Sequence, residues 1–192
     1  MARTKDFVRD VALSRAVALF SQRGFEGTST EALLGAMDIR RQSLYDTFGD
    51  KWQLYLEALR RYSSDSIGAQ LVVLEGAATG EAGLEALLMH AVARAREDPQ
   101  PACLGVSAIC EFGRSEPEIV SLTEAMGRLL TRAVERRVRD AMASGAFAAD
   151  LSVPIAGQYV LATLTGIKVA ARQGASEAVL RGIAQMALRS FR

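Results

Sequence analysis

Residues 28–51, TSTEALLGAMDIRRQSLYDTFGDK, constrain the fold of this chain more than any other stretch. Thr28, Ser29 and Thr30 carry hydroxyls of the kind that cap helix starts, and an apolar face at helical spacing follows them. Asp38 tolerates the left-handed conformation that a sharp turn requires. The stretch therefore predicts two short helices, near residues 30–37 and 41–47, joined by a tight turn.

The second of these helices is polar on one side and apolar on the other. Leu44 and Phe48 are four residues apart and would anchor it to a core. Arginine and glutamine pair with guanine and adenine edges, and hydroxyls reach phosphates or bases. This pattern is typical of a recognition helix, although an ordinary helical hairpin would show a similar one. The outward residues are Arg41, Gln42, Ser43, Tyr45 and Thr47.

Further motifs flank this stretch at characteristic spacings, between Ala16 and Leu54. They are Ala18-Leu19-Phe20, Gly24-Phe25, Thr28-Ser29 and Ser43-Leu44-Tyr45-Asp46-Thr47-Phe48, followed by Lys51 and Leu54. Together they resemble the N-terminal DNA-binding domain of the TetR family of transcriptional regulators. The chain departs from the family at Asp38, where the turn usually carries glycine.

The resemblance and the side-chain chemistry together predict a set of DNA contacts. We expect Arg41 and Gln42 to contact base edges, while hydroxyls and Lys51 hold phosphates. Arg3 and Lys5 would reach DNA from an N-terminal arm, although a frayed terminus is equally compatible with the sequence. The predicted DNA-binding residues are Arg3, Lys5, Ser29, Thr30, Arg40, Arg41, Gln42, Ser43, Tyr45, Thr47 and Lys51.

Composition favours an all-helical protein. The 192 residues are 49% hydrophobic with only four prolines, which is enough apolar content for a core. The formal net charge is +1, and residues 1–64 hold ten basic and eight acidic residues, a net charge of +2. Bulk charge therefore gives the DNA interpretation only weak support.

The predicted architecture is an all-α fold with two domains. A three-helix helix-turn-helix domain at residues 1–50 joins a larger C-terminal effector-binding and dimerisation domain at 51–192, whose residues 51–75 form the connecting helix. The other helices are predicted near residues 5–23, 82–97, 102–113, 116–145, 152–173 and 176–190.

The last two predicted helices are rich in small and apolar residues. Such helices pack closely and need partners on more than one side, and helix-turn-helix proteins commonly bind as dimers. The TetR resemblance implies that these helices form a homodimer interface; burial within one subunit is the alternative. The predicted interface residues are Ala156, Gly157, Val160, Leu164, Ile183 and Met186.

The middle of the chain offers residues for an apolar pocket, although they could equally be ordinary core. Glu111 would be among the few polar groups of such a pocket. The resemblance implies a small-molecule effector of unknown identity. Cys103 and Cys110 could alternatively form a thiol sensor, as in some family members. The predicted pocket residues are Leu87, His90, Cys103, Ile109, Phe112, Leu122, Met126 and Tyr159.

Catalytic motifs are lacking. His90 is the single histidine, and HExxH, GxSxG, P-loop and GxGxxG patterns do not occur. We expect no enzymatic activity, no cofactor and no metal site. We also expect a cytoplasmic protein that does not enter the membrane, since the sequence shows no signal peptide or spanning apolar run.

The sequence thus predicts a repressor that a small molecule releases from a palindromic double-stranded DNA operator. A helical ligand-binding or enzymatic protein that kept the fold without operator binding is the alternative.

Overall fold

The computed structural model describes the backbone of residues 2–97 and 103–192 and the side chains of residues 9–95 and 103–192. These ranges contain nine α-helices and no strand, so the predicted all-α class is confirmed. Predicted and observed helix ends agree within three residues, and the predicted loop at residues 98–101 lies outside the described residues. The helices are α1 (Ala2–Arg23), α2 (Thr30–Met37), α3 (Arg41–Phe48), α4 (Lys51–Glu75), α5 (Gly80–Glu97), α6 (Leu104–Phe112), α7 (Pro117–Ala143), α8 (Val153–Arg172) and α9 (Glu177–Arg189).

Local side-chain chemistry sets the ends of the short helices. The Ser29 hydroxyl accepts a hydrogen bond from the Ala32 N–H at 3.2 Å, which caps α2. Asp38 follows α2 in the left-handed conformation (φ 56°, ψ 48°), as the turn prediction required. The Asp50 carboxylate accepts from the Gln53 N–H at 2.8 Å and caps α4.

The chain divides into two compact units, each built from two segments. Unit 1 comprises residues 1–65 and 102–124, and unit 2 comprises residues 66–101 and 125–192. These units are not the linear division at residue 50, because α4 and α7 each contribute to both and α6 belongs with α1–α3. A functional boundary at residue 50 remains a prediction.

The core of unit 1 fixes α2 and α3 on α1 and α4. Phe20, Leu33, Leu44 and Leu54 are completely buried in one apolar cluster, in which Phe48 also lies. Beside it lies an aromatic cluster in which ring centroids are 5.0–6.5 Å apart, the range of favourable ring contacts. Its members are Phe20, Phe25, Trp52, Tyr55 and Phe112.

Residues 111–118 tie α6 and the start of α7 to the helix-turn-helix segment. The Glu111 carboxylate accepts hydrogen bonds from the backbone N–H groups of Phe25 (2.9 Å) and Glu26 (3.2 Å). The Trp52 indole N–H donates to Glu118 at 2.9 Å. Glu111 was expected among the polar groups of an effector pocket, but the structure places it against the α1–α2 connection.

The core of unit 2 is formed by α5, α8 and α9 together with parts of α4 and α7. Four predicted dimer-interface residues lie within it: Ala156, Gly157, Val160 and Leu164 are buried in the subunit. Their small or branched side chains pack against neighbouring helices of the same chain, so they do not offer surface to a partner. Ile183 is partly buried, and Met186 is 64% exposed.

Helix α8 is long and apolar enough to cross a membrane by length and composition alone. This differs from the expectation that the chain has no apolar run of spanning length. Core helices pass the same test, and α8 contributes Val160, Leu164 and Ile167 to the buried cluster of unit 2. It therefore carries little weight as evidence for a membrane span.

The buried Tyr55 hydroxyl generates a stability prediction. Tyr55 is completely buried, and its hydroxyl has no hydrogen-bond partner among the described groups. Burial, and secondarily the charge of Glu111, raises its pKa well above the usual range. Because an unsatisfied buried hydroxyl is unfavourable, Tyr55→Phe is expected to stabilise unit 1 by about 1 kcal/mol.

Urea unfolding followed by Trp52 fluorescence measures this change, since Trp52 is the single tryptophan and lies beside Tyr55. The exposed Tyr159→Phe variant is the control and should change stability by less than about 0.5 kcal/mol. A destabilised Tyr55→Phe protein would show that the hydroxyl is bonded in solution.

Candidate nucleic-acid interface

Helix α3 presents one buried and one exposed face. Leu44 is fully buried and Phe48 is 7% exposed, whereas Arg41, Gln42 and Tyr45 are exposed. This is the division expected of a recognition helix whose apolar side anchors it and whose polar side is free to enter a groove.

The α2–α3 turn sets the angle at which this face is offered. Asp38 holds the left-handed position and its N–H donates to the Leu34 carbonyl. The Arg15 guanidinium donates to the Met37 carbonyl at 3.3 Å, so α1 contacts the last carbonyl of α2. The turn is thus fixed from both sides.

Arg41 is held by an acidic residue of the preceding helix. Its Nη2 donates to the Glu31 carboxylate, forming an ion pair across the turn. A backbone hydrogen bond, followed by the Arg41 contact, lowers the pKa of Glu31. The Glu31 hydrogen bond, followed by that of Tyr45, raises the pKa of Arg41. Arg41 thus links the start of α3 to the first turn of α2.

Gln42 is held in a similar way within α3. Its Nε2 donates to the Asp46 Oδ1 at 2.8 Å, one helical turn further along. Both predicted base-contacting residues thus have acidic hydrogen-bond partners on the exposed face.

The remaining predicted DNA-binding residues surround these two. Ser29, Arg40 and Ser43 are exposed, and Thr30 and Thr47 are partly buried. All of them lie in α2, α3 or the flanking caps.

The structure describes the side chain of Lys51 but not those of Arg3 and Lys5, which are also predicted to bind DNA. The Lys51 ammonium lies 4.0 Å from the centroid of the Phe25 ring, a cation–π contact that places it at the α1–α2 connection. The side chains of Arg3 and Lys5 lie outside the described residues. DNA contacts by all of these residues remain predictions.

Glu31 and Asp46 were missed as functional candidates by the sequence reasoning. The four-residue spacing of Gln42 and Asp46 was a readable signal, because such pairs are neighbours on a helix. The contact between Glu31 and Arg41 was not readable, since it depends on the angle between α2 and α3.

The predicted effector residues do not form one lining within either unit. Cys103, Ile109, Phe112 and Leu122 belong to unit 1, whereas Leu87, His90, Met126 and Tyr159 belong to unit 2. Leu87 is fully buried core, Phe112 packs in the aromatic cluster, and Ile109 and Tyr159 are surface residues. Effector binding through them remains a prediction.

Unit 1 contains a groove of about 660 Å³ in which half of the lining residues are charged. It includes Arg9, Glu57, Arg60, Arg61 and Glu118, and Thr47 at the end of α3. It differs from the apolar cavity expected for the effector.

Cys103 and Cys110 are free thiols in the structure, the first partly buried at the start of α6 and the second exposed. Within the described residues, no group of three or more histidine, cysteine or acidic side chains is arranged to hold a metal ion. Neither observation tests the thiol-sensor alternative.

Comparison with known proteins identifies the family. Residues 12–58 match the family model described as bacterial regulatory proteins, tetR family. The chain is 33% identical over 132 residues, 68% of each chain, to YezE of Bacillus subtilis (strain 168), an uncharacterized HTH-type transcriptional regulator. The chain belongs to the TetR family.

Two further relatives extend the TetR-family comparison along the whole chain. A cysteine mutant of the TetR family regulator CifR, solved with 26-bp double-strand operator DNA, is 34% identical with a TM-score of 0.80; the match covers 96% of this chain and 97% of CifR. The HTH-type transcriptional repressor ComR of Escherichia coli (strain K12) is 25% identical over 97% of this chain and 90% of its own. These relatives are regulators of transcription, and the predicted family and helix-turn-helix are confirmed.

The departure from glycine at the turn of this TetR-family domain gives a prediction. Asp38→Gly should leave unit 1 at least as stable, because glycine adopts positive φ freely. Asp38→Val should destabilise it by about 1–2 kcal/mol, since a β-branched side chain is strained there. Urea unfolding monitored at Trp52 compares the two variants; equal stabilities would contradict the left-handed turn.

Proposed function

We propose that this TetR-family regulator is a homodimeric repressor that binds a palindromic operator and is released by a small apolar effector. The observation that carries the DNA part is α3, where Arg41 and Gln42 are exposed in the first turn while Leu44 and Phe48 anchor the helix in the core. The similarity to CifR, solved with operator DNA, supports it.

In this proposal Arg41 and Gln42 contact base edges in the major groove. The phosphates on either side are held by Ser29, Thr30, Ser43, Tyr45 and Thr47, with Arg40 and Lys51 adding charge and Arg3 and Lys5 reaching from the N-terminus. Guanine offers two acceptors to an arginine fork, and adenine offers a donor and an acceptor to glutamine.

The proposed dimer uses the side of α8 and α9 that remains exposed in the subunit. Ile155 is 69% exposed, and Tyr159, Val169, Val179 and Met186 are also large apolar residues at the surface of these helices. Ile183 borders this face. A second copy of the chain would cover these residues, and two α3 helices would then reach half-sites about 34–36 Å apart.

The proposed effector rests on the family resemblance. It also requires that the effector have different affinities for the DNA-free and the DNA-bound states. A molecule releases DNA only if it binds the DNA-free state more tightly than the DNA-bound state. Regulation without catalysis, in the cytoplasm, accords with the relatives being transcriptional regulators.

A binding selection from a random 26-bp duplex pool tests base recognition. The wild-type protein is expected to select a two-fold symmetric site. Arg41→Ala and Gln42→Ala should each lose about 1–3 kcal/mol of binding to that site and relax the preference at one position per half-site. Fluorescence anisotropy with the selected and a scrambled duplex measures both effects.

Lys51→Ala is the matched control for charge. It should weaken binding to both duplexes by the same factor. The slope of log affinity against log salt concentration should fall by the amount expected for about one phosphate contact per half-site. Failure of the wild-type protein to prefer any duplex would contradict the proposed function.

The dimer has its own test. Met186→Glu places a charge on the proposed interface and should convert the dimer to monomer, as measured by analytical ultracentrifugation. Val72→Glu, at a 74% exposed position of α4, is the control and should leave the dimer intact. A dimer that survives Met186→Glu together with Ile155→Glu would place the interface elsewhere.

A further inference from the structure

The segment that should meet DNA carries net negative charge. Residues 28–51 hold three cations (Arg40, Arg41, Lys51) against four acids (Glu31, Asp38, Asp46, Asp50), a net charge of −1. A DNA duplex carries one negative charge per about 1.7 Å of its axis. Acids on a surface facing such a polyanion weaken binding to phosphates and therefore require an explanation.

Two of these acids have structural tasks. Asp38 forms the left-handed turn, and Asp50 caps α4. The other two, Glu31 and Asp46, lie exposed on the α2–α3 surface. Glu31 also lies in the first turn of α2, where a carboxylate interacts favourably with the helix N-terminus.

Each of these two acids is bonded to one predicted base-contacting residue. Glu31 accepts from the Arg41 guanidinium, and Asp46 accepts from the Gln42 amide at 2.8 Å. The side chains of Glu31 and Arg41 are 71% and 54% exposed. Because exposed ion pairs contribute little to stability, the Glu31–Arg41 contact does little for the fold.

The geometry leaves the base-contacting groups of both residues available. Arg41 has five N–H groups in a planar fork and gives Nη2 to Glu31, so other N–H groups can meet the acceptors of guanine. Gln42 has two amide hydrogens and gives one to Asp46, which leaves one N–H and the carbonyl oxygen for adenine. The two acids therefore restrain the Arg41 and Gln42 side chains while leaving hydrogen-bonding groups free to contact bases.

We propose that Glu31 and Asp46 are positioning residues for sequence specificity, which hold Arg41 and Gln42 in base-contacting orientation and disfavour binding to phosphates alone. This inference rests on the proposed function. The restraint lowers the conformational entropy lost when the correct bases are met, so it strengthens the specific complex. The carboxylate charges penalise non-specific complexes, which depend on phosphate contacts.

Glu31→Gln is the first test. With the duplex selected by the wild-type protein, we expect the ratio of selected to scrambled affinity to fall about tenfold, a loss of one good base contact. Affinity for the scrambled duplex should rise. The slope of log affinity against log salt concentration should become steeper by up to about 0.9 per half-site. Selection by the variant should lose preference at the same base position that Arg41→Ala relaxes.

Asp65→Asn is the matched control. It removes one exposed acid that is paired with an arginine, as Glu31 is, but lies 14 residues into α4, about 20 Å along the helix. It should leave base preference unchanged. Asp46→Asn should relax the position read by Gln42, separately from that read by Arg41.

A double-mutant cycle separates positioning from general charge. In the Arg41→Ala background, Glu31→Gln should no longer change the base preference, because the side chain it positions is gone. Urea unfolding should differ little between Glu31→Gln and wild type, since the contributions lost are an exposed ion pair and a first-turn charge.

Three outcomes would overturn the inference. The first is an unchanged ratio of selected to scrambled affinity in Glu31→Gln. The second is an equal increase in affinity for both duplexes. The third is a larger increase in affinity for the selected duplex, which would show that Glu31 competes with DNA for Arg41. A wild-type protein without any sequence preference would instead refute the proposed function, and the specificity role with it.

Discussion

The burial of Leu44 and Phe48 in the core of unit 1 is the contact on which the candidate DNA surface depends. Helix α3 has eight residues, and an isolated helix of that length is not stable in water. Its existence and orientation therefore come from packing in the buried cluster that also holds Phe20, Leu33 and Leu54. Because side chains of a helix point in fixed directions, burying these two residues sends Gln42 outward, whereas Arg41, three residues before Leu44, is exposed because it is the first residue of the helix.

The packing that supports α3 involves more than the first three helices. Glu111 bonds the backbone of Phe25 and Glu26 from a position more than 80 residues later, and Phe112 joins the same aromatic cluster. The platform beneath α3 thus includes α6 and the start of α7. A change in the position of α6 within unit 1 would act on the α1–α2 connection directly, which would give the proposed effector regulation a physical route.

Sequence reasoning succeeded where local chemistry decides the structure and failed where distant elements meet. Ser29 and Asp38 act on neighbours within four residues, so their capping and turn roles were readable. The contact of Glu31 with Arg41 and the bonds of Glu111 depend on tertiary packing and left no periodic signal. Small residues such as Ala156 and Gly157 predict close packing, but the sequence pattern does not say whether the partner belongs to the same subunit.

In the proposed complex, α3 contacts base edges in the major groove. Replacing individual guanines of the selected duplex with 7-deazaguanine removes the N7 acceptor while leaving phosphates and pairing intact, so anisotropy titrations of such duplexes test it most directly. We expect a loss of about 1–3 kcal/mol in binding at symmetric positions roughly one helical turn apart, and no further loss at those positions in Arg41→Ala. Equal affinity for every substituted duplex would contradict it.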